Sequence, residues 1–478
     1  MSMKNKARSQ PKTLDLVVFG VTGYTGKLVL EHLVKELEHT PTLRWAIAGR
    51  NRRKLKDLLV KMGDLPNTPM IIIADNTDKS SLSNMVKNAH TVLNLAGPYF
   101  KNGEKLIQAC VENECHYLDL GVESFWISDI IKKYNGVAFD KHIKIVPGCG
   151  YETLPFDMAC TLAARELSDR HGERCISTNV MVKFNGRSLR NPKNAFSGGT
   201  YASIAAFLDA PNVRKALEPG CLVEDPARAD YLKANSPFNL FGRYEADFKA
   251  TLAPCMPIPF INPAMVYRSA EIQRHYFTDT FLYKEGMSVS AALPFKVLEK
   301  PAALLVGFGF SAFQRVLQNN VPAVQYALKR TIEALAPTTG QGPSKESLDE
   351  ASYEIEVIAT GECGNRIRCV VTGEGHAGYR STANMAVQAA LALAMDEFGS
   401  PRYYGVITPA TAIGPAALKR LERAGVNFDL YEMERLKLAV NIVAGGETLS
   451  AIDEALDTGN AGSKSAGATS DTVSEAAA

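Results

Sequence analysis

The chain has 478 residues, 46% of them hydrophobic and 22% charged, with a formal net charge of +2. That length exceeds what one small core organises and suits two domains. The near-neutral balance carries no basic footprint, so nucleic acid is excluded as an expected partner.

In chain order, Met1 to Lys12 is polar and basic without an apolar core, so no secretory signal is expected. Leu14–Phe19 is an apolar strand. Lys27–Leu37 follows, with Leu30, Leu33, Val34 and Leu37 at helical spacing. Trp45–Ala48, Met70–Ala74, Thr91–Ala96, Tyr117–Leu120 and Ile143–Val146 repeat the short apolar run, and amphipathic segments separate them. Continuous apolar strands alternating with such helices predict a parallel sheet covered on both faces. The fold class expected is therefore α/β: a doubly wound Rossmann domain over 14–150, a second α+β domain and a disordered C-terminal tail.

Beyond residue 150, Phe156–Leu167 reads as a helix. Residues 235–265, with five prolines between Pro237 and Pro263, read as a long irregular segment. The uncharged run Pro301–Phe313 is too short to span a bilayer, which needs about 20 residues. It reads either as buried core or as an interfacial helix or hairpin touching lipid. Tyr353–Thr360 and Ile367–Thr372 predict a hairpin around Gly364–Asn365. Ser381–Glu397 is an Ala-rich helix that must be buried on most sides. From Thr458 the composition cannot form a core.

The nine cysteines form no C-x-x-C pair. Reduced thiols and an intracellular, cytoplasmic setting are expected. No metal centre is expected either, and His116 and His376 read as structural.

The first strand runs into Gly20-Val21-Thr22-Gly23-Tyr24-Thr25-Gly26. Gly20 permits the turn, Gly23 lets backbone approach a diphosphate, and Gly26 lets the helix pack on the sheet. Free amides at the helix start favour the phosphates. The loop residues Gly20, Thr22, Gly23, Tyr24, Thr25 and Gly26 are the candidate cofactor cradle. NAD enzymes place Asp or Glu about 20 residues further on for the ribose 2′-hydroxyl. Here the second strand ends Ala48-Gly49-Arg50-Asn51-Arg52-Arg53. Guanidinium groups suit a 2′-phosphate, so NADP is expected over NAD, with Arg50 as its partner. Asn94, Gly97 and Pro98, at the end of the fourth strand, are expected beside the nicotinamide half. No tyrosine has a lysine four residues later, which excludes the Tyr-x-x-x-Lys chemistry of short-chain dehydrogenases.

These motifs resemble the saccharopine dehydrogenase-like oxidoreductase family, which includes the trans-acting enoyl reductases. The resemblance rests on Gly20–Gly26, Ala48–Arg50, Asn94–Tyr99, Tyr117–Glu123, Gly150–Asp157, Ser197–Thr200, Gly378–Tyr379 and Thr382–Ala383. It implies an α+β substrate or dimerisation domain over 151–375. It also implies a helical segment over 376–440 returning to the first domain, ahead of a tail over 458–478. It implies NADP-dependent reduction of a lipid-related, glycolipid or enoyl-type substrate, with lipid-droplet or membrane association through 301–313. A homodimer is a further expectation. A true saccharopine dehydrogenase, and a non-catalytic nucleotide-binding protein docked on lipid, are the alternatives. A reductase needs an acid opposite the hydride. The candidates are Tyr99, Asp119 and Tyr151, with Glu123 and Tyr201 behind them.

Overall fold

The first six strands of the computed structural model are β1 (Leu14–Phe19), β2 (Trp45–Gly49), β3 (Met70–Ile73), β4 (Ala89–Asn94), β5 (His116–Asp119) and β6 (Lys144–Val146). The structure describes residues 12–436 apart from 187–195, 209, 211, 239, 256–258, 291–295, 320, 339–340 and 398–401. The six strands are parallel, and their order β6-β5-β4-β1-β2-β3 reverses direction between β1 and β4. β1, β2 and β4 bury nearly every side chain, as strands covered on both faces must. Local chemistry starts the crossover helices. The Asn51 side chain accepts from the Lys54 amide at 3.0 Å, and Asp78 accepts from Ser80 at 2.9 Å.

Helix Leu154–His171 leaves this domain and ends at Gly172, whose φ of +68° supplies the left-handed stop. It lies on one face of a second sheet built from β7 (Cys175–Asn185), β8 (Arg243–Glu245), β9 (Ala250–Ala253), β10 (Phe277–Ser288), β11 (Ser352–Gly361) and β12 (Arg366–Glu374). Val180 and Val182 of β7, Ile355 and Val357 of β11 and Cys369 and Val371 of β12 form its buried side. They alternate with Met181, Glu356 and Val370 on the opposite face, the period of two of a strand. The β11–β12 hairpin turns at Gly364, where φ is +89°. Residues 235–265 are less irregular than their prolines suggest. They hold β8 and β9, and helix Asn262–Ile272 begins inside them with Pro263 in its first turn, where a missing amide costs nothing.

Helix Thr382–Ala394 is buried along its whole length except Asn384 and packs against helix Tyr24–Glu36 and β4. The segment after it is not purely helical, as the expectation over 376–440 had it. It contributes β13 (Gly405–Val406) beside β6 and β14 (Val426–Met433) beside β12. Both sheets thereby gain a seventh strand from the far end of the chain. The expected tail over 458–478 lies outside the described residues.

The run Pro301–Phe313 is not core. It sits in helix Glu299–Asn319, which buries only Ala303, Gly307 and Leu317. A Cβ on Gly307 would lie 2.6 Å from the Leu240 carbonyl oxygen, so the helix rests closely on that backbone. Leu304, Leu305 and Phe308 point outward at 56%, 73% and 72% exposure.

Candidate dinucleotide site and catalytic cleft

The C-terminal ends of β1, β2 and β4 meet where strand order reverses, the crevice in which open α/β sheets hold ligands. Gly20 turns off β1 with φ +92°, and a Cβ there would sit 2.9 Å from the Leu95 carbonyl carbon. A Cβ on Gly26 would lie 2.6 Å from the Gly20 carbonyl oxygen, so the helix can approach its own strand only without a side chain. Gly23 differs, because a Cβ there meets only the Gly20 oxygen at 3.5 Å. The space over it is open, and Thr22 and Gly23 are exposed. Gly23 starts helix Tyr24–Glu36 with no side-chain cap and no acidic residue in the first turn. Uncapped amides beneath bare backbone fit a diphosphate.

Thr25 is half-buried beside this opening. The Tyr24 ring turns the other way. Its hydroxyl donates to the Pro343 carbonyl at 2.6 Å, and its ring stands edge-on to Tyr379 at 5.3 Å. Tyr24 therefore joins the loop to the second domain, and its backbone amide is what it offers a phosphate. Arg50 is exposed just past β2, close enough to Asp75 that its charge helps lower that carboxyl, after the Thr77 hydrogen bonds.

Asn94 is buried. Its side-chain oxygen accepts from the Ala96 amide at 3.0 Å, and its amide nitrogen donates to the Tyr117 hydroxyl at 2.9 Å. Tyr117 in turn donates to Asp119 at 2.6 Å, and the other Asp119 oxygen accepts from the Gly121 amide at 2.8 Å. Burial pushes Asp119 up to about 7, against the lowering effect of these bonds. This chain crosses from β4 to β5 beneath the turn that carries Gly97 and Pro98. Gly97 is exposed and Pro98 half-buried, so that turn forms the open lip of the crevice. Tyr99 is half-buried, and its hydroxyl donates to the Asn94 carbonyl at 3.3 Å. Glu123 accepts from the Val122 amide at 3.0 Å, and burial raises its carboxyl.

Tyr151 is 2% exposed, enclosed by the Phe156, Phe184 and Tyr353 rings. Its amide donates to the Thr382 hydroxyl at 3.0 Å, which ties the turn after β6 to the returning helix. Opposite the glycine loop, the Tyr379 hydroxyl takes the Ser197 amide and pairs with the Thr200 hydroxyl at 2.7 Å. Tyr201, one residue on, packs its ring near Phe196 at 6.0 Å. The sequence marks Ser197–Thr200 as a family motif and a candidate backbone nest near substrate or cofactor, and Tyr379 as a family motif. Their convergence with Tyr24 depends on contacts between segments far apart in the chain.

Two other features lie away from this cleft. An open cavity of about 610 Å³ on the second sheet is lined by Lys183, Glu356 and Arg368 among others. Those charges neutralise one another, with Arg368 on Glu356 at 2.8 Å and Lys183 on Glu354 at 2.7 Å. At the opposite end of the first sheet, His90, His116 and Asp396 bring ligand-type atoms within 4.8 Å of one another. His116 Nδ1 accepts the Lys144 amide at 2.9 Å, so the neutral ring carries its proton on Nε2 and has no lone pair left for a metal.

The strand order, the glycine loop at the switch point and the facing second sheet define a two-domain, nucleotide-dependent oxidoreductase. Residues 16–146 match the family model described as the saccharopine dehydrogenase NADP binding domain. The chain is 30% identical over 429 residues to the trans-acting enoyl reductases of Mycobacterium tuberculosis and Mycobacterium bovis, covering 87% of this chain and 97% of theirs. The Mycobacterium leprae enzyme of the same name is 30% identical over 430 residues. Among solved structures, saccharopine dehydrogenase (L-Glu forming) of Saccharomyces cerevisiae overlaps with a TM-score of 0.45 at 10% identity, covering 88% of this chain and 99% of that one. This chain belongs to the saccharopine dehydrogenase-like family of NADP-dependent oxidoreductases that includes the trans-acting enoyl reductases.

Proposed function

We propose that the protein uses NADPH to reduce the activated carbon–carbon double bond of a lipid-related substrate, of glycolipid or enoyl type, at a lipid surface. The cradle at Gly20–Gly26 binds the diphosphate through backbone amides, and Arg50 takes the 2′-phosphate. Asn94, Gly97 and Pro98 border the nicotinamide half. NADPH supplies the hydride, and the chain's own side chains position the substrate and deliver a proton.

The observation that carries this reading is the chemistry of the cleft. Ser197, Thr200 and Tyr379 meet there as neutral hydroxyls, joined to one another. Arg380, the nearby cation, is already held by Glu31 at 2.9 Å and Asp349 at 3.3 Å. An amino-dicarboxylate would call for free cationic clamps, and among the described residues of this cleft none is available. The name borne by the relatives supports the same choice. The outward Leu304, Leu305 and Phe308 support the lipid surface, since a row of exposed apolar side chains on one helix suits the interfacial plane. No helix among the described residues is long and apolar enough to cross a membrane.

The test is NADPH oxidation with a long-chain trans-2-enoyl thioester in phospholipid vesicles, against saccharopine in parallel. Turnover on the thioester alone is expected. Turnover on saccharopine alone would overturn the reading. The double variant Leu305→Glu/Phe308→Glu, with an unchanged melting temperature, should leave the vesicle fraction. If it stays there, the surface assignment is wrong.

A further inference from the structure

Two of the candidate acids at the rim of the first sheet, Asp119 and Tyr99, are already engaged. Asp119 is fully buried and has both oxygens in hydrogen bonds, to Tyr117 and Gly121. Tyr99 gives its proton to the Asn94 carbonyl. Tyr151 has a hydroxyl with no hydrogen-bond partner among the described residues, but it is buried and three rings cage it. Asp119 and Tyr99 can give a proton to the cleft only by breaking these bonds, and burial keeps Tyr151 away from it.

The turn after β6 carries one acid in a different position. Glu152 follows Tyr151 in Gly150-Tyr151-Glu152-Thr153, at the carboxyl edge of the sheet where the cofactor crevice lies. Gly150 is pressed against the returning helix, since a Cβ there would sit 2.8 Å from the Thr382 methyl. With the Tyr151 amide bonded to Thr382, the turn is rigid. Glu152 is neither sealed in nor solvated, being half-buried. Among the described residues, no hydrogen bond or ion pair holds its carboxyl. The charged and titratable groups that face it are Glu285 of β10, the neighbouring Tyr151 and Tyr379 of the cleft. None of these is cationic, so none of them stabilises the ionised form. Burial, with Glu285 adding to it, pushes the carboxyl up to about 8, so the acid form prevails at neutral pH.

We propose that Glu152, on the turn after β6 and near enough to Tyr379 for their charges to interact, is the proton donor of this reductase. This rests on the enoyl-reductase reading above. The hydride from NADPH forms a C–H bond at the carbon β to the thioester, and the electron pair of the double bond moves to the α carbon and the thioester oxygen. The Glu152 O–H bond breaks as its proton forms the second new C–H bond at the α carbon. The products are the saturated thioester, NADP⁺ and the Glu152 carboxylate, which regains its proton from water through its exposed side.

The test compares wild type, Glu152→Gln and Glu152→Asp, using a trans-2-enoyl thioester and NADPH. Glu152→Gln keeps the shape of the side chain, so its melting temperature and its NADPH affinity by nucleotide fluorescence should match wild type. Turnover should fall by about 100-fold or more, the usual worth of a positioned acid. Glu152→Asp should fall less. Infrared difference spectra across a pH titration provide a readout independent of turnover: a protonated-carboxyl band that disappears near pH 8 in wild type should be missing from Glu152→Gln. A variant within threefold of wild-type turnover, or one that keeps the band, overturns the assignment of Glu152. Wild type that binds NADPH but turns over no enoyl thioester instead overturns the enoyl-reductase reading, and the proton-donor role with it.

Discussion

The Gln388 amide nitrogen lies 3.0 Å from His32 Nε2, joining residues 356 positions apart. Gln388 belongs to the returning helix and His32 to the helix that leaves the glycine loop. Around them, Arg380 reaches Glu31 at 2.9 Å and Arg423 reaches Glu36 at 3.1 Å. The C-terminal part of the chain thus clamps the element whose start cradles the cofactor.

An amide donor facing Nε2 requires an unprotonated nitrogen. Burial lowers His32 to about 4, outweighing the Glu36 charge that opposes it. A histidine depressed in the fold stabilises it above its ordinary pKa of 6.5, and that stability is lost as pH falls toward 4. Its full span is about 3 kcal/mol. Urea melts of wild type and His32→Gln at pH 7 and pH 4.5 should show wild type losing more stability on acidification. Equal losses would mean that His32 does not titrate as a buried neutral group.

Gly23 and Gly26 look alike in sequence but should fail differently. Gly26→Ala forces a methyl onto the Gly20 carbonyl and Val21 backbone, both under 3.0 Å away. Backbone there cannot yield cheaply, so this variant should lose about 2 kcal/mol or more of stability. Gly23→Ala has room in the protein itself, with its sole neighbour at 3.5 Å. Its methyl should cost little stability yet weaken NADPH at least tenfold by standing where the diphosphate rests. Thermal melts and NADPH titrations separate the two. Unchanged affinity in Gly23→Ala would show that the diphosphate lies elsewhere.

Arg50 tests which phosphate matters. It is exposed and has no ion pair among the described residues, so Arg50→Asp leaves no buried charge stranded. A charge-assisted contact is worth about 1.5–3 kcal/mol, so NADPH affinity should drop roughly 10- to 100-fold. NADH, lacking the 2′-phosphate, should lose no more than about threefold. Equal losses in a fluorescence titration would remove Arg50 from that role.

The first sheet was legible because its signals are local: apolar runs, helical spacing and a glycine string at a strand end. The second sheet was only partly legible. The β11–β12 hairpin has a local turn signal, but β8 and β9 are short and lie among prolines. The cleft wall was least legible, because Tyr24, Ser197, Thr200 and Tyr379 meet through folding rather than spacing. The helix Glu299–Asn319 shows a different limit. Composition cannot separate a buried apolar helix from one that turns Leu305 and Phe308 outward, since that depends on which backbone Gly307 finds to rest against.

Asp119 offers a pH test of opposite sign to that of His32. Its carboxyl rises to about 7 in the fold from an ordinary 3.8, because burial penalises the charge more than Tyr117 and Gly121 favour it. A raised acid contributes stability that is fully present below the unfolded value and is lost as pH climbs through the folded one. Relative to Asp119→Asn, wild type should therefore lose stability between about pH 4 and pH 7. The substitution has its own cost. The introduced amide has one oxygen for two donors: facing Gly121 it leaves the Tyr117 hydroxyl without an acceptor, and facing Tyr117 it leaves the Gly121 amide without one. One buried donor left without a partner costs about 1–3 kcal/mol at any pH. Urea melts from pH 5 to pH 8 should thus show a constant offset plus a wild-type slope absent from the variant. Parallel curves would mean that Asp119 stays ionised and that its two hydrogen bonds outweigh its burial.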